Sequence, residues 1–197
     1  MARERADDYN QKVKLIKDAA AELFAHTGYS GAKLLDVAKA CGASKSMLYH
    51  YFPTKDDLLY SMVKEHLQEV LAALQEVSAV DLPAKKKFPL FLKHFQQKSS
   101  ETRQRNMVAM TEAKYLPEKM QKKLLKLEKQ IVELVVKQIQ AVNPKLDDGL
   151  YKVYAMLLIG MLNWTDTWYN PNGPITPEEL VERTTQLFLN GFVKVSQ

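Results

Sequence analysis

The chain has 197 residues, of which 46% are hydrophobic and 26% charged, and its net charge is +5. That is long enough to bury a core and ordinary in composition for a globular protein, which excludes a disordered chain. A single cysteine, Cys41, excludes an internal disulfide framework and a cysteine-rich zinc site, and it fits a reducing cytoplasm.

The opening "MARERADDYNQKVK" is charged throughout and lacks the apolar stretch of a secretory signal. The most apolar run, "YAMLLIGMLNW" at 154–164, is about half the roughly 20 residues that cross a bilayer, so no membrane span is predicted. Residues 1–55 carry nine bases and six acids, +3; residues 56–77 carry one base and five acids, −4; the remainder carries eighteen bases and twelve acids, +6. Many of these lysines lie in "PAKKKF" and "KMQKKLLKLEKQ", which read as solvated helix faces. Net basicity therefore does not by itself point to a nucleic acid.

The predicted elements are helices almost from end to end. In "KVKLIKDAAAELFAHTGYSG" the residues Val13, Ile16, Ala19, Ala20, Leu23 and Phe24 recur at three- and four-residue steps, and Gly28 closes the helix. Two short helices follow, "LLDVAKAC" and "SKSMLYHYF", separated at Gly42, where a side chain is expected to clash. A longer helix of some 23 residues starts from a Thr54–Asp57 cap and turns Leu58, Leu59, Met62, Leu67, Val70, Leu71 and Leu74 inward. Further helices are predicted near 85–99, 102–114, 117–142, 147–169 and 177–195. Pro117 suits a first helical position, and Thr176, Pro177 and Glu179 form a cap signal. No repeat and no alternating strand pattern interrupts this all-α reading.

The stretch "GASKSMLYHYFPTKDDLL" at 42–59 carries the functional information. A helix-turn-helix needs one short helix to brace a second, whose leading residues reach base edges while neighbours hold phosphates. Leu34, Val37 and Ala38 can pack inward, Gly42 turns the chain, Ser44 caps the second helix, and Leu48 and Phe52 form its buried face. Lys45, Ser46, Met47, Tyr49 and His50 must then point outward, with Tyr51 open to either side. A helix with two inward residues has little stability alone, so its outward aromatics fit a surface that receives a partner.

"LLDVAKACGASKSMLYHYFPTKDDLL" resembles the DNA-binding signature of TetR-family transcriptional regulators. The resemblance implies a three-helix DNA-binding domain at 1–55 and a helical ligand-binding and dimerisation domain at 56–197. It also implies a homodimer, operator DNA and a small effector that releases the DNA, with the long helix after Thr54 swinging to move the two reading heads. By position, Lys45, Ser46 and Met47 match the base-facing residues of the family, and Tyr49, Tyr51 and Lys55 its phosphate contacts; Ser44 and His50 complete the interface. Ala32 and Lys33 stand where relatives usually place Thr or Ser, so a hydroxyl cap and phosphate contact are expected to be absent or replaced by Lys33, which joins the DNA-binding set.

"LNWTDTWYNPNGPITPEEL" is similar to a stretch of TetR-family repressors that respond to coenzyme A thioesters. That resemblance suggests Asn163, Trp164 and Trp168 as ligand contacts, with Phe91, Phe95 and Met110 as further candidates and an uncharged hydrophobic effector as the alternative. From spacing alone, the two tryptophans share one helix face that fits either a pocket wall or a dimer interface, and Phe88, Phe91 and Phe95 fit plain core. An enzyme is not expected: the four histidines are scattered, and there is no H-E-x-x-H, G-x-S-x-G or phosphate-loop pattern, so neither metal nor cofactor is implied. A helical adaptor that binds only proteins would leave residues 45–55 unexplained.

Overall fold

The structure, a computed structural model, describes residues 2–192, with side chains from 9 to 191. Among the described residues there are nine α-helices and no strand: α1 Ala2–Gly31, α2 Leu34–Ala40, α3 Lys45–Tyr51, α4 Lys55–Ser78, α5 Ala84–Glu101, α6 Arg103–Thr111, α7 Glu118–Val142, α8 Asp148–Trp168 and α9 Pro177–Phe192, with one 3-10 turn at Ala113–Tyr115. The all-α expectation holds, and most boundaries fall within a few residues of their predicted places. Residues 193–195 of the last predicted helix lie outside the described residues.

Local chemistry explains the starts and stops. Thr54 and Asp57 exchange hydrogen bonds, Thr54 N–H to Asp57 Oδ2 at 3.2 Å and Asp57 N–H to Thr54 Oγ1 at 3.0 Å, which caps α4. Thr176 and Glu179 repeat the arrangement at α9, at 3.0 and 3.2 Å. At α7, Pro117 sits one place earlier than expected, because its carbonyl accepts from Gln121 N–H at 3.1 Å and so occupies the cap. Gly28 has φ 72° and ψ 155° inside α1, a conformation that breaks the helix where the sequence closes it.

The chain divides into two compact units. The first takes in the chain through His66 together with Gln104–Leu124; the second takes in Leu67–Arg103 and the chain from Leu125 onward. In the first, Ile16, Phe24, Leu48, Leu58, Leu59 and Met62 are fully buried, each worth about 1.5–3 kcal/mol. In the second, Phe88, Phe91 and Leu92 of α5 join Val135, Ile139, Leu158 and Phe188 in one cluster. Of the inward residues foreseen on α4, all are buried except Leu67, which is half-buried.

A charged cluster also holds the first unit together. Lys17 donates to Glu65 at 2.7 Å, while Arg105 donates to Asp18 at 2.7 Å and lies 3.5 Å from Glu65. The two cations are only 8% and 6% exposed, so each relies on its carboxylate partner in place of water. Burial would raise the Asp18 pKa, but hydrogen bonds from Lys14 and Arg105 hold it below the usual value.

Beside this cluster His66 is buried, 3.2 Å from Asn106 Oδ1. Burial first, and then the Arg105 charge, push its pKa down to about 4 against its hydrogen bond to the Asn106 side-chain oxygen, which raises it. The imidazole is thus neutral in the fold, whereas the unfolded chain takes up a proton below about 6.5. Stability therefore falls as pH drops from about 6.5 to about 4, by about 3 kcal/mol from this group. Urea unfolding of wild type and His66→Gln at pH 7.5 and 4.5 checks this: the difference between the two pH values should shrink by about 2 kcal/mol or more in the variant, and an unchanged difference contradicts the assignment.

Candidate nucleic-acid interface

The turn between α2 and α3 is set by backbone geometry. Gly42 has φ 66°, its N–H reaches Lys39 O at 3.3 Å, and Ala43 N–H reaches Ala38 O at 2.9 Å, the paired bonds of a left-handed helix stop. A Cβ at Gly42 would meet nothing within 4 Å. The expected clash is therefore absent, and the glycine is favoured by its positive φ instead. Ser44 then caps α3, its Oγ accepting from Met47 N–H at 3.1 Å.

From that start the seven residues of α3 divide by side. Leu48 is 0% exposed and Phe52 just beyond the helix is buried. Lys45, Ser46, Tyr49 and His50 are exposed, and Met47 is half-buried. Lys45 Nζ lies 5.9 Å from the Tyr49 ring centre. Tyr51 is half-buried and packs on Tyr9 of α1 with ring centres 4.9 Å apart. Lys33, exposed, occupies the cap position of α2 without a side-chain cap bond, so the hydroxyl missing from the sequence is not replaced as a cap.

Lys55, a phosphate contact by the resemblance, also has partners within the protein. Its ammonium donates to Tyr29 O at 2.7 Å and Ala32 O at 3.0 Å, and it lies 4.2 Å from the Tyr29 ring centre. Two of its three donors are thus engaged with the α1–α2 corner. Tyr29 gathers further partners: its hydroxyl donates to Asp56, its N–H donates to Glu112 at 2.7 Å, and its ring stacks on Tyr115. Burial first, and then the adjacent Asp56 carboxylate, raise the Tyr29 pKa far above the ordinary phenol value, so the phenol remains a donor. Nothing in the spacing of "HTGYSG" signals this cluster, whose hydrogen-bond partners lie up to 83 residues away.

The six predicted ligand residues are not brought together. Phe91 and Phe95 are core of the second unit, whereas Met110 belongs to the first unit and is exposed. Asn163 is half-buried, and Trp164 and Trp168 are 62% and 59% exposed. None of the six lines the cavity of about 300 Å³ in the second unit, which lies among α5, the end of α8 and the start of α9. Among the described residues, no helix is long and apolar enough to cross a membrane and no group of three or more His, Cys, Asp or Glu could hold a metal ion.

Two short helices joined by a left-handed glycine, the second with its apolar side buried and its polar side open, define a helix-turn-helix protein. Residues 16–62 match the family model "Bacterial regulatory proteins, tetR family", and residues 81–192, more than half the chain, match "Tetracyclin repressor-like, C-terminal domain". The chain belongs to the TetR family of DNA-binding transcriptional regulators, a non-enzymatic family.

The chain is similar to a TetR-family transcriptional regulator from Bordetella parapertussis 12822, with 34% identity and a TM-score of 0.86 over 94% of this chain and 97% of that one. Against the fatty acid metabolism regulator protein of Bacillus subtilis (strain 168) it is 34% identical over 85 residues, 43% of this chain and 44% of that protein, so the match spans less than half of either. It shares its fold, at 19% identity and a TM-score of 0.78 over 89% of this chain and 97% of that one, with AibR in complex with isovaleryl coenzyme A and operator DNA.

The Lys55 geometry makes a prediction that separates positioning from phosphate contact. Lys55→Met leaves two carbonyls without their donor and should lower unfolding stability by about 1–2 kcal/mol in urea. A stability equal to wild type, with the salt dependence of DNA binding lowered by about one counterion, would restore Lys55 to the phosphate contacts.

Proposed function

We propose that this regulator is a ligand-responsive repressor that binds operator DNA as a homodimer and is released by a coenzyme A thioester. Residues 1–55 form its DNA-reading part and residues 56–197 its ligand-binding and dimerisation part. The observation that carries the DNA assignment is the two-sided α3, with Leu48 fixed inward and Lys45, Ser46, Tyr49 and His50 left to solvent. Lys45, Ser46 and Met47 lead the helix and read base edges. Tyr49, Tyr51, His50, Ser44 and Lys33 surround them and hold the backbone, while Lys55 and Tyr29 keep the helix in place.

The thioester reading is supported by the partial similarity to a fatty acid metabolism regulator and by the fold shared with a protein bound to isovaleryl coenzyme A. Such an effector acts by binding better to a state that does not hold the operator, which depletes the state that does.

Operator selection followed by anisotropy titration tests the α3 assignment. Lys45→Ala or Met47→Ala should change which bases are preferred, by about 1–3 kcal/mol at the positions read. Tyr49→Phe should weaken binding to all sequences alike. Unchanged affinity and preference in all three variants defeats it.

The dimer reading rests on α8. Leu150, Val153, Leu157, Trp164 and Trp168 are exposed at steps of three, four and seven, which is one continuous helix face, and Leu187 of α9 is 68% exposed. Leu158, Leu162, Leu180 and Phe188 of the same two helices are buried within their own subunit, and Met161 is half-buried, so they do not belong to this face. A second copy covers the remaining face as a four-helix arrangement about a two-fold axis. Sedimentation should give a dimer at micromolar concentration and a monomer for Leu157→Glu combined with Trp164→Glu. A monomeric wild type with intact operator binding would contradict the reading.

A further inference from the structure

We infer that the DNA-binding surface extends beyond the helix-turn-helix onto the start of α1, where Tyr9 holds Tyr51 in place and sets its own hydroxyl against a backbone phosphate. This rests on the DNA reading above and adds to it a residue, a contact and a positioning role.

The sequence puts Tyr9 at the head of the inward stripe of α1. Tyr9, Val13, Ile16, Ala20 and Phe24 follow one another at steps of three and four, which is one side of a helix. Ile16, Ala20 and Phe24 are buried and Val13 is half-buried, whereas Tyr9 is 49% exposed. The stripe thus outruns the core at its first member. A leucine there would serve packing alone; a tyrosine lays an apolar ring on the protein and keeps a polar tip in water.

The ring rests on the last residue of α3. The Tyr9 and Tyr51 ring centres are 4.9 Å apart with their planes inclined at 57°, and His50 meets Tyr51 edge-on at 5.5 Å. Three rings therefore run in a row from α1 to α3, with Tyr9 and His50 exposed at its ends and Tyr51 half-buried between them. Leu48 and Phe52 grip α3 from inside, and Tyr9 adds a wall that restricts the Tyr51 side chain. A side chain already restricted loses less freedom when it takes up a phosphate.

Hydroxyl partners separate two kinds of tyrosine. Tyr29, Tyr151 and Tyr169 donate within the protein, to Asp56, Asn143 O and Ile175 O. The hydroxyls of Tyr9 and Tyr51 have no hydrogen-bond partner among the described residues. Tyrosine is among the side chains that donate to phosphate oxygens on DNA, and donation to an anion is stronger than donation between neutral groups. Because the phenol is uncharged it releases no counterion, and because it meets the backbone it reads no base.

Anisotropy titration of a duplex carrying the selected operator is the test, on wild type, Tyr9→Phe, Tyr9→Ala, Tyr51→Ala, the double alanine variant, and Leu15→Ala as a control at an exposed position of the same helix. Tyr9→Phe should bind about fivefold more weakly and Tyr9→Ala about tenfold or more, both with the salt slope and base preference of wild type. The double alanine variant should bind within about twofold of the weaker single one, because each ring acts through the other. Leu15→Ala should bind like wild type. Tyr9→Phe keeps the ring, so it reports on the hydroxyl whatever Tyr9→Ala does to the fold. Wild-type affinity or a changed salt slope in Tyr9→Phe overturns the phosphate contact, and a double variant whose loss is the product of the single losses overturns the positioning role. Tyr9 variants that bind like wild type while Tyr49→Phe is weakened overturn this inference and leave the DNA reading standing. A wild type that selects no operator overturns both.

Discussion

A seven-residue helix closes too few of its own hydrogen bonds to persist in water, and the arrangement of the first unit follows from the need to hold α3 at a fixed angle. Leu48 in α3 and Phe52 just beyond it are its buried apolar grip, with Tyr51 packing on Tyr9. The remaining constraint comes from its flanks: the left-handed stop at Gly42 before it and the α4 cap at Thr54 after it. The Tyr29 cluster anchors the start of α4 through Lys55 and Asp56, the α1–α2 corner through its backbone, and the segment after α6 through Glu112. A reading helix that cannot stabilise itself can still be rigid when both of its ends are tied to elements that can.

Lys17 and Arg105 extend the same logic. Two cations with almost no solvent access depend on Glu65 and Asp18, which stay partly wet. Removing one carboxylate would strand a buried charge, so the cluster links the position of α6 to that of α1 and α4 more strictly than apolar contacts would. Apolar surfaces tolerate sliding; a buried ion pair at 2.7 Å does not.

What was legible in the sequence was local. The Thr54–Asp57 and Thr176–Glu179 caps, the glycine stops and the inward residues of α3 all involve neighbours within a few positions, so spacing alone identifies them. The Tyr29 cluster was not legible, because its partners Lys55 and Glu112 come from remote segments and each reads as an ordinary surface charge. The resemblance marks Lys55 as a phosphate contact but says nothing of the two backbone carbonyls that take two of its donors. Periodicity showed that Trp164 and Trp168 share a face, but a period does not say whether that face meets a core, a ligand or another subunit.

Positive charge is spread along this chain, and the central claim is that only the part organised by α3 reads DNA. Lysines of α5 and α7 outnumber those around α3, so bulk attraction alone would draw DNA to the wrong surfaces. Hydrogen exchange of the protein with and without its selected operator measures this most directly. New protection is expected at the amides of residues 33–34 and 44–50, with little change at 85–87 or 119–129. Protection over those lysine-rich faces, with none over α3, would contradict it.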